Sequence, residues 1–141
     1  FSASNTVTLG SITTAGRALL DDANAAAQLV TIGAQARSPA IQSVTSAATV
    51  TPTFSDDEVI VTAQAAGLAL ANPTGTAIDG LGIVIRIKDD GTARAISYDT
   101  QYRAIGVTLP TTTVISKVLY IGMIYNATET KWDVVSVVQQ A

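Results

Sequence analysis

KVLYIGMIYNATETKWDVVSVV, residues 117–138, predicts a β-hairpin. β-Branched and aromatic residues, which favour strands, fill both flanks, and the polar turn NATET separates them. Alternation divides the apolar side chains of the first strand between its two faces, with Val118, Tyr120 and Ile124 on one and Leu119, Ile121 and Met123 on the other. A strand that is apolar on both faces is either enclosed within its own fold or covered by a neighbouring subunit. The low charge of the chain favours the subunit contact.

Residues 56–141, which contain this hairpin, have the pattern of an all-β domain. Strand-like runs cover Val59–Ala63, Leu68–Ala71, Ile83–Lys88 and Thr92–Tyr98. The turn sequence Asp89-Asp90-Gly91 predicts a hairpin between the last two of these runs. Because turns recur at sandwich-like spacing with no helix between the strands, we predict a mainly β fold. Its C-terminal part is expected to be an antiparallel β-sandwich, jelly-roll-like in topology.

The first 55 residues differ in composition. Residues 1–35 combine a Ser/Thr/Asn-rich lead with an Ala- and Leu-rich helical segment from Thr14 to Gly33, which Asp21-Asp22 and Asn24 interrupt and recap. Residues 36–55 predict a linker that passes into a first strand. Four small or apolar residues in the helical segment follow helical spacing, namely Leu19, Ala23, Ala26 and Val30. This narrow seam suits either close packing around a symmetry axis or a helix that lies on its own β domain.

Composition excludes several classes of function. The chain has 141 residues, no Cys and no His, which removes disulfides, Cys/His zinc sites and imidazole-based catalysis. Its net charge of −3 gives no electrostatic basis for binding nucleic acid. Only 13% of residues are charged although 48% are hydrophobic, which is thin charge cover for a soluble monomer. We therefore predict an obligate homo-oligomer with a structural role.

No motif in the sequence predicts an enzyme, a cofactor site or a metal site. The two carboxylate clusters, Asp56-Asp57-Glu58 and Asp89-Asp90, stand at a strand lead and a turn, where acidic residues are usually solvated. Calcium binding by Asp89 and Asp90 would lack the spaced oxygen ligands of a calcium loop. The uncharged stretch 59–78 is broken by polar residues, glycine and proline, so we expect no membrane insertion. The few aromatic residues are expected to pack in a core or an interface rather than to form a sugar-binding platform.

Two parts of the chain resemble proteins of tailed-bacteriophage virions. GRALLDDANAAAQ (16–28), closed by TIG (31–33), is similar to the element GRALLDDADAAAQRATLG of phage fibre and fibre-like proteins. ANPTGT (71–76), RIKDDGTAR (86–94) and YRAIGVTLP (102–110), continuing to YNA (125–127) and KWDVV (131–135), resemble a module of phage virion proteins. The resemblance implies a homotrimeric protein of the virion surface without enzymatic activity. Its partners would be its own copies and the major capsid protein or another virion protein.

The short chain fits a capsid decoration, cement or head-fibre protein. In this interpretation the N-terminal part docks on the particle and residues 56–141 form an exposed knob. The alternative is the C-terminal receptor-binding part of a tail fibre, which would contact a host-surface glycan or receptor. Eight residues are the candidates for trimer contacts, namely Leu19, Ala23, Ala26, Val30, Tyr120, Ile121, Met123 and Trp132.

Overall fold

A computed structural model describes residues 14–21, 23–31 and 38–141 of the chain. The chain divides into two units, Phe1–Ser38 and Pro39–Ala141. In the first unit, α1 spans Thr14–Asp21 and α2 spans Ala25–Thr31. Asn24 caps α2, because its Oδ1 accepts a hydrogen bond from the backbone N–H of Ala27 at 3.0 Å.

The second unit is built from β-strands. They are β1 Ile41–Val44, β2 Thr49–Val50, β3 Glu58–Gln64, β4 Leu68–Leu70, β5 Gly82–Asp89, β6 Ile96–Tyr98, β7 Tyr102–Ala104, β8 Val118–Asn126 and β9 Lys131–Gln139. Six of them form one sheet in the order β1-β3-β5-β8-β9-β7, and the other three form a second sheet in the order β2-β4-β6. The prediction of a mainly β fold is confirmed. Residues 36–55, which were expected to form a linker and a first strand, supply both β1 and β2, and the second unit begins within this range, at Pro39.

The first six strands alternate between the two sheets. Of each two consecutive strands, β1–β2, β3–β4 and β5–β6, the first joins the large sheet and the second joins the small one. Successive pairs stack in parallel: Val59 in β3 lies between Gln42 in β1 and Ile85 in β5, and the small sheet is parallel throughout. The prediction of an antiparallel, jelly-roll-like topology is therefore wrong for this part of the chain. The predicted hairpin at Asp89-Asp90-Gly91 is wrong as well, because this turn carries the chain from one sheet to the other instead of folding β6 back onto β5.

The hairpin predicted from residues 117–138 is present. β8 and β9 pair antiparallel from Asn126 opposite Lys131 to Leu119 opposite Gln139, and β8 also pairs antiparallel with β5. The hairpin thus lies between β5 and β7 and widens the large sheet. The register shifts between Gly122 and Met123, so β9 carries one extra residue at Val135.

One hydrophobic core joins the two sheets. The large sheet contributes alternate residues of its central strands, such as Val59, Ile85 and Ile121, which are fully buried. The small sheet contributes Leu68 and Leu70 to the same core. Three aromatic rings close it at the hairpin end, with centroid separations between 4.8 and 5.3 Å among Phe54, Tyr125 and Trp132.

Candidate functional site

The large sheet turns one apolar face away from this core. Along β5 and β8 the side chains alternate between buried and less buried positions, so one set of residues points outward. We call this set the outer face. Its members are Ile60, Val84, Arg86, Lys88, Val118, Tyr120, Gly122, Ile124, Ser136 and Val138. Four large apolar side chains of the set remain substantially exposed: Val84 at 39%, Tyr120 at 38%, Ile124 at 45% and Val138 at 57%.

Strand pairing brings these residues together. Val84 lies opposite Gly122, Arg86 lies opposite Tyr120, and Tyr120 in turn lies opposite Val138. Gly122 carries no side chain between Tyr120 and Ile124, and a Cβ added there would lie 3.4 Å from Cβ of Ser136 on β9. The outer face is therefore a shallow surface bordered by apolar side chains. Another flat surface can pack closely against a surface of this shape.

A groove crosses the outer face between β3 and β8. It has a volume of about 270 Å³ and is open to solvent. The side chains that border it are Ile60, Thr62, Arg86, Lys88, Val118 and Tyr120, with Val61 at its base. Such a groove can receive a side chain from a second molecule.

Most charges on this side of the sheet are already paired. The Nε of Arg86 lies 3.3 Å from Oε1 of Glu58 on the neighbouring strand. Arg103 in β7 donates from Nε to Oδ1 of Asp133 at 2.8 Å and also pairs with Glu129. The hydrogen bonds to Glu129 and Asp133 raise the pKa of Arg103, so this guanidinium stays charged. Paired charges are less costly to cover than isolated ones.

The Asp89 carboxylate, which the sequence analysis placed in a solvated turn, is a structural hydrogen-bond acceptor. Asp89 is buried and accepts hydrogen bonds from Ser116 N–H at 2.8 Å, Gly91 N–H at 3.0 Å and Thr113 Oγ1 at 2.8 Å. Desolvation by burial raises the pKa of Asp89, but these hydrogen bonds together outweigh it and leave the pKa below its ordinary value. The group therefore remains an anion that holds the corner between β5 and the loop before β8.

The other carboxylates in the two clusters have similar structural roles. Asp56 accepts from the Thr53 N–H at 2.7 Å, and Asp57 accepts from the Ala40 N–H at 2.8 Å. Asp90 binds the guanidinium of Arg94 through both carboxylate oxygens, at 3.0 and 2.7 Å. Within the described residues, no group of three or more His, Cys, Asp or Glu side chains is placed to hold a metal ion.

The structure separates the eight predicted trimer-contact residues. Tyr120 lies on the outer face. The structure corrects the prediction for Ile121, Met123 and Trp132. These residues are buried in the core of one protomer, so their side chains offer no surface to another copy. In the first unit, Ala23 and Val30 are exposed, Val30 by 80%. The side chains of Leu19 and Ala26 lie outside the described residues.

Sequence reasoning missed how the outer face is assembled. Val84, Arg86 and Lys88 could be assigned to one side of β5, and Tyr120 and Ile124 to one side of β8, from alternation alone. Alternation along a strand does not indicate which other strand it pairs with. The sequence therefore did not predict that the outward residues of β5 lie beside those of β8. Pairing of β5 with β8 joins them and also creates the groove.

Comparison with protein-family models, curated proteins and solved structures finds no match to this chain. Among the described residues, neither helix is long and apolar enough to cross a bilayer.

Proposed function

We propose that the chain is a non-enzymatic structural protein of a tailed-phage virion. It acts as a homotrimeric capsid decoration, cement or head-fibre protein, with its N-terminal part on the capsid and its β unit exposed. The observation that carries the structural role is the outer face, where exposed apolar side chains adjoin charges that are already paired. The carboxylates that could have served catalysis bind backbone N–H groups or arginine instead. The virion context rests on the resemblance of residues 16–28 and 71–135 to phage proteins.

The fold proposed for the β unit is a two-layer sandwich. Its support is the single hydrophobic core to which both the six-stranded and the three-stranded sheet contribute. In this arrangement the inner face of the large sheet is occupied by its own fold. The outer face is then the large surface left for assembly.

A second candidate function is the receptor-binding part of a tail fibre. The groove favours it, because it combines the exposed ring of Tyr120 with the cations Arg86 and Lys88, a set that suits an acidic sugar. Arg86 is engaged by Glu58, so of the two cations that border the groove Lys88 is the one without an ion pair among the described residues. This weakens the case for recognition of an anionic ligand and places the tail-fibre role second.

The test is the location of the protein on the particle. Purified virions of the phage that encodes the chain are imaged at modest resolution, with and without added full-length protein. Regular density over the capsid is the expected result. Density confined to the tail tip supports the second candidate, and blocking of host adsorption by the added protein would do the same.

The N-terminal docking assignment has its own test. A variant that lacks residues 1–35 is mixed with capsids that have been stripped of the protein, beside the full chain as control. The full chain should bind in a fixed ratio and the shortened chain should not. Binding of both to the same extent contradicts docking through the N-terminal part.

A further inference from the structure

We infer that the outer face is the surface through which copies of this chain contact one another. This inference rests on the proposed self-association and assigns it to one surface. Its partner is a second copy of the chain. Three observations carry it: the clustering of apolar side chains on the outer face, the state of its charges and its area.

The clustering is specific to this side of the sheet. Val84, Tyr120, Ile124 and Val138 stand on three neighbouring strands that pair directly with one another. Single exposed apolar residues are normal on proteins, but a contiguous group marks a surface that is covered in the working state. Tyrosine is also one of the residues most enriched at the centres of protein interfaces.

The charges permit a copy of the same surface to approach. Arg86 pairs with Glu58, Arg103 pairs with both Asp133 and Glu129, and Lys88 adds one positive charge, so the three cations and three anions on this side of the sheet sum to no net charge. The chain as a whole carries −3, so most of its acidic excess lies elsewhere. Two like surfaces with near-zero net charge do not repel each other, whereas a strongly charged surface would oppose its own copy.

The area is of the size that a stable contact needs. The four central strands, β3, β5, β8 and β9, are seven to nine residues long. With strands about 4.8 Å apart and about 3.3 Å per residue, they project roughly 500 Å². Because side chains project from the sheet, its accessible surface exceeds this flat projection and is of the same order as the ~800 Å² per partner of a standard interface.

The first test places a charge on the outer face. Ile124→Lys puts an ammonium group into the contact, and Ile78→Lys is the matched control because Ile78 is a loop residue of similar exposure, 54% against 45%. Both full-length variants are compared with the unchanged chain by sedimentation velocity, and circular dichroism checks their folding. We expect Ile124→Lys to weaken assembly at least about tenfold, the effect of losing about 1.4 kcal/mol. Ile78→Lys should assemble as the unchanged chain does, and equal assembly of both variants would overturn the inference.

A second test does not depend on a disruptive substitution. Because the chain has no cysteine, Val84→Cys and Val114→Cys each introduce a single thiol, one on the outer face and one in a loop where Val114 is 47% exposed. In the assembled protein, a maleimide should label Cys at position 84 at least about tenfold more slowly than at position 114, since a covered thiol reacts only when the contact opens. Addition of Ile124→Lys to the Val84→Cys chain should remove this protection.

The outcomes separate the inference from the proposed function. An assembled protein in which both thiols react at the same rate overturns the assignment of the outer face but leaves a structural oligomer. A monomer with a protected thiol at position 84 also overturns it, because the first unit of the same chain would then cover the face. A monomer with two reactive thiols contradicts self-association itself.

Discussion

Asp89 ties the turn after β5 to the loop before β8. The sequence predicted a solvated turn residue in a hairpin, since acidic residues before glycine usually have that role. In the structure its carboxylate is buried and binds Ser116, Gly91 and Thr113, two of which lie far along the chain. A partner more than twenty residues away leaves no local signal, and this is why the sheet-to-sheet crossing was not predicted.

Replacement of Asp89 by Asn should destabilise the protein at neutral pH. The amide loses the charge that strengthens three hydrogen bonds, so we expect the free energy of unfolding to fall by about 1–3 kcal/mol. Because the folded state lowers the pKa of Asp89, its contribution is present above the unfolded pKa and disappears as pH falls through the lower folded value. Urea unfolding at pH 7 and below about pH 4 should therefore show a large difference that shrinks in acid.

The control for this prediction is Asp21→Asn, which removes the same charge from an exposed position in α1. It should leave the free energy of unfolding within about 0.5 kcal/mol of the original. A difference between Asp89→Asn and the unchanged chain that stays constant down to the lowest pH would contradict the role of the ionised carboxylate.

Gln64 is a second buried polar residue with long-range partners. Its side-chain amide donates to Ala47 C=O at 2.7 Å and Ala66 C=O at 2.9 Å and accepts from Ala47 N–H at 3.1 Å. Gln64→Leu would remove three hydrogen bonds to backbone groups of the half-buried Ala47 and the exposed Ala66, at a cost of about 1–3 kcal/mol. Gln28→Leu in α2, where the side chain is exposed, should have little effect. Equal chemical denaturation midpoints for the two variants would contradict this role.

At the scale of elements, a strand pairing could be predicted from sequence when the two strands are adjacent along the chain. The β8–β9 hairpin was predictable, because its two strands and its turn are contiguous in sequence. The parallel pairing among β1–β6 was not predictable. Each of these strands pairs with the next strand but one along the chain, as β1 does with β3, so its partner is not adjacent in sequence. Alternation is the same in parallel and antiparallel sheets when only one face is buried, so it could not distinguish the two.

The crossing from β5 to β6 depends on a glycine with unusual backbone geometry. Gly91 has φ of 97°, which residues with a side chain rarely adopt. Gly91→Ala should therefore lower the free energy of unfolding by about 1–2 kcal/mol. Gly67→Ala is the control, because Gly67 is not among the positive-φ glycines and its added Cβ would meet no atom closer than 4.0 Å. Thermal melts that shift equally for both would contradict strain at Gly91.

At the scale of the whole molecule, composition and structure both favour the proposed self-association. The sequence has few charged residues for its apolar content, and the structure places a group of apolar side chains on one exposed sheet face. Composition could indicate that part of the surface must be covered. It could not indicate which part, because a count of residue types does not say where those residues lie in the fold. Of the eight residues proposed for contacts from sequence, Tyr120 is the one on this face, and Ile124 and Val84 join it through strand pairing.

The mass of the unmodified full-length chain in solution bears most directly on this picture. Sedimentation equilibrium over a dilution series at micromolar concentration measures it without any substitution. A dominant species at three times the 14.5 kDa of one chain is the outcome we expect. A stable species of 14.5 kDa across the whole series would show that the protomer needs no copies, and the assembly account would be wrong.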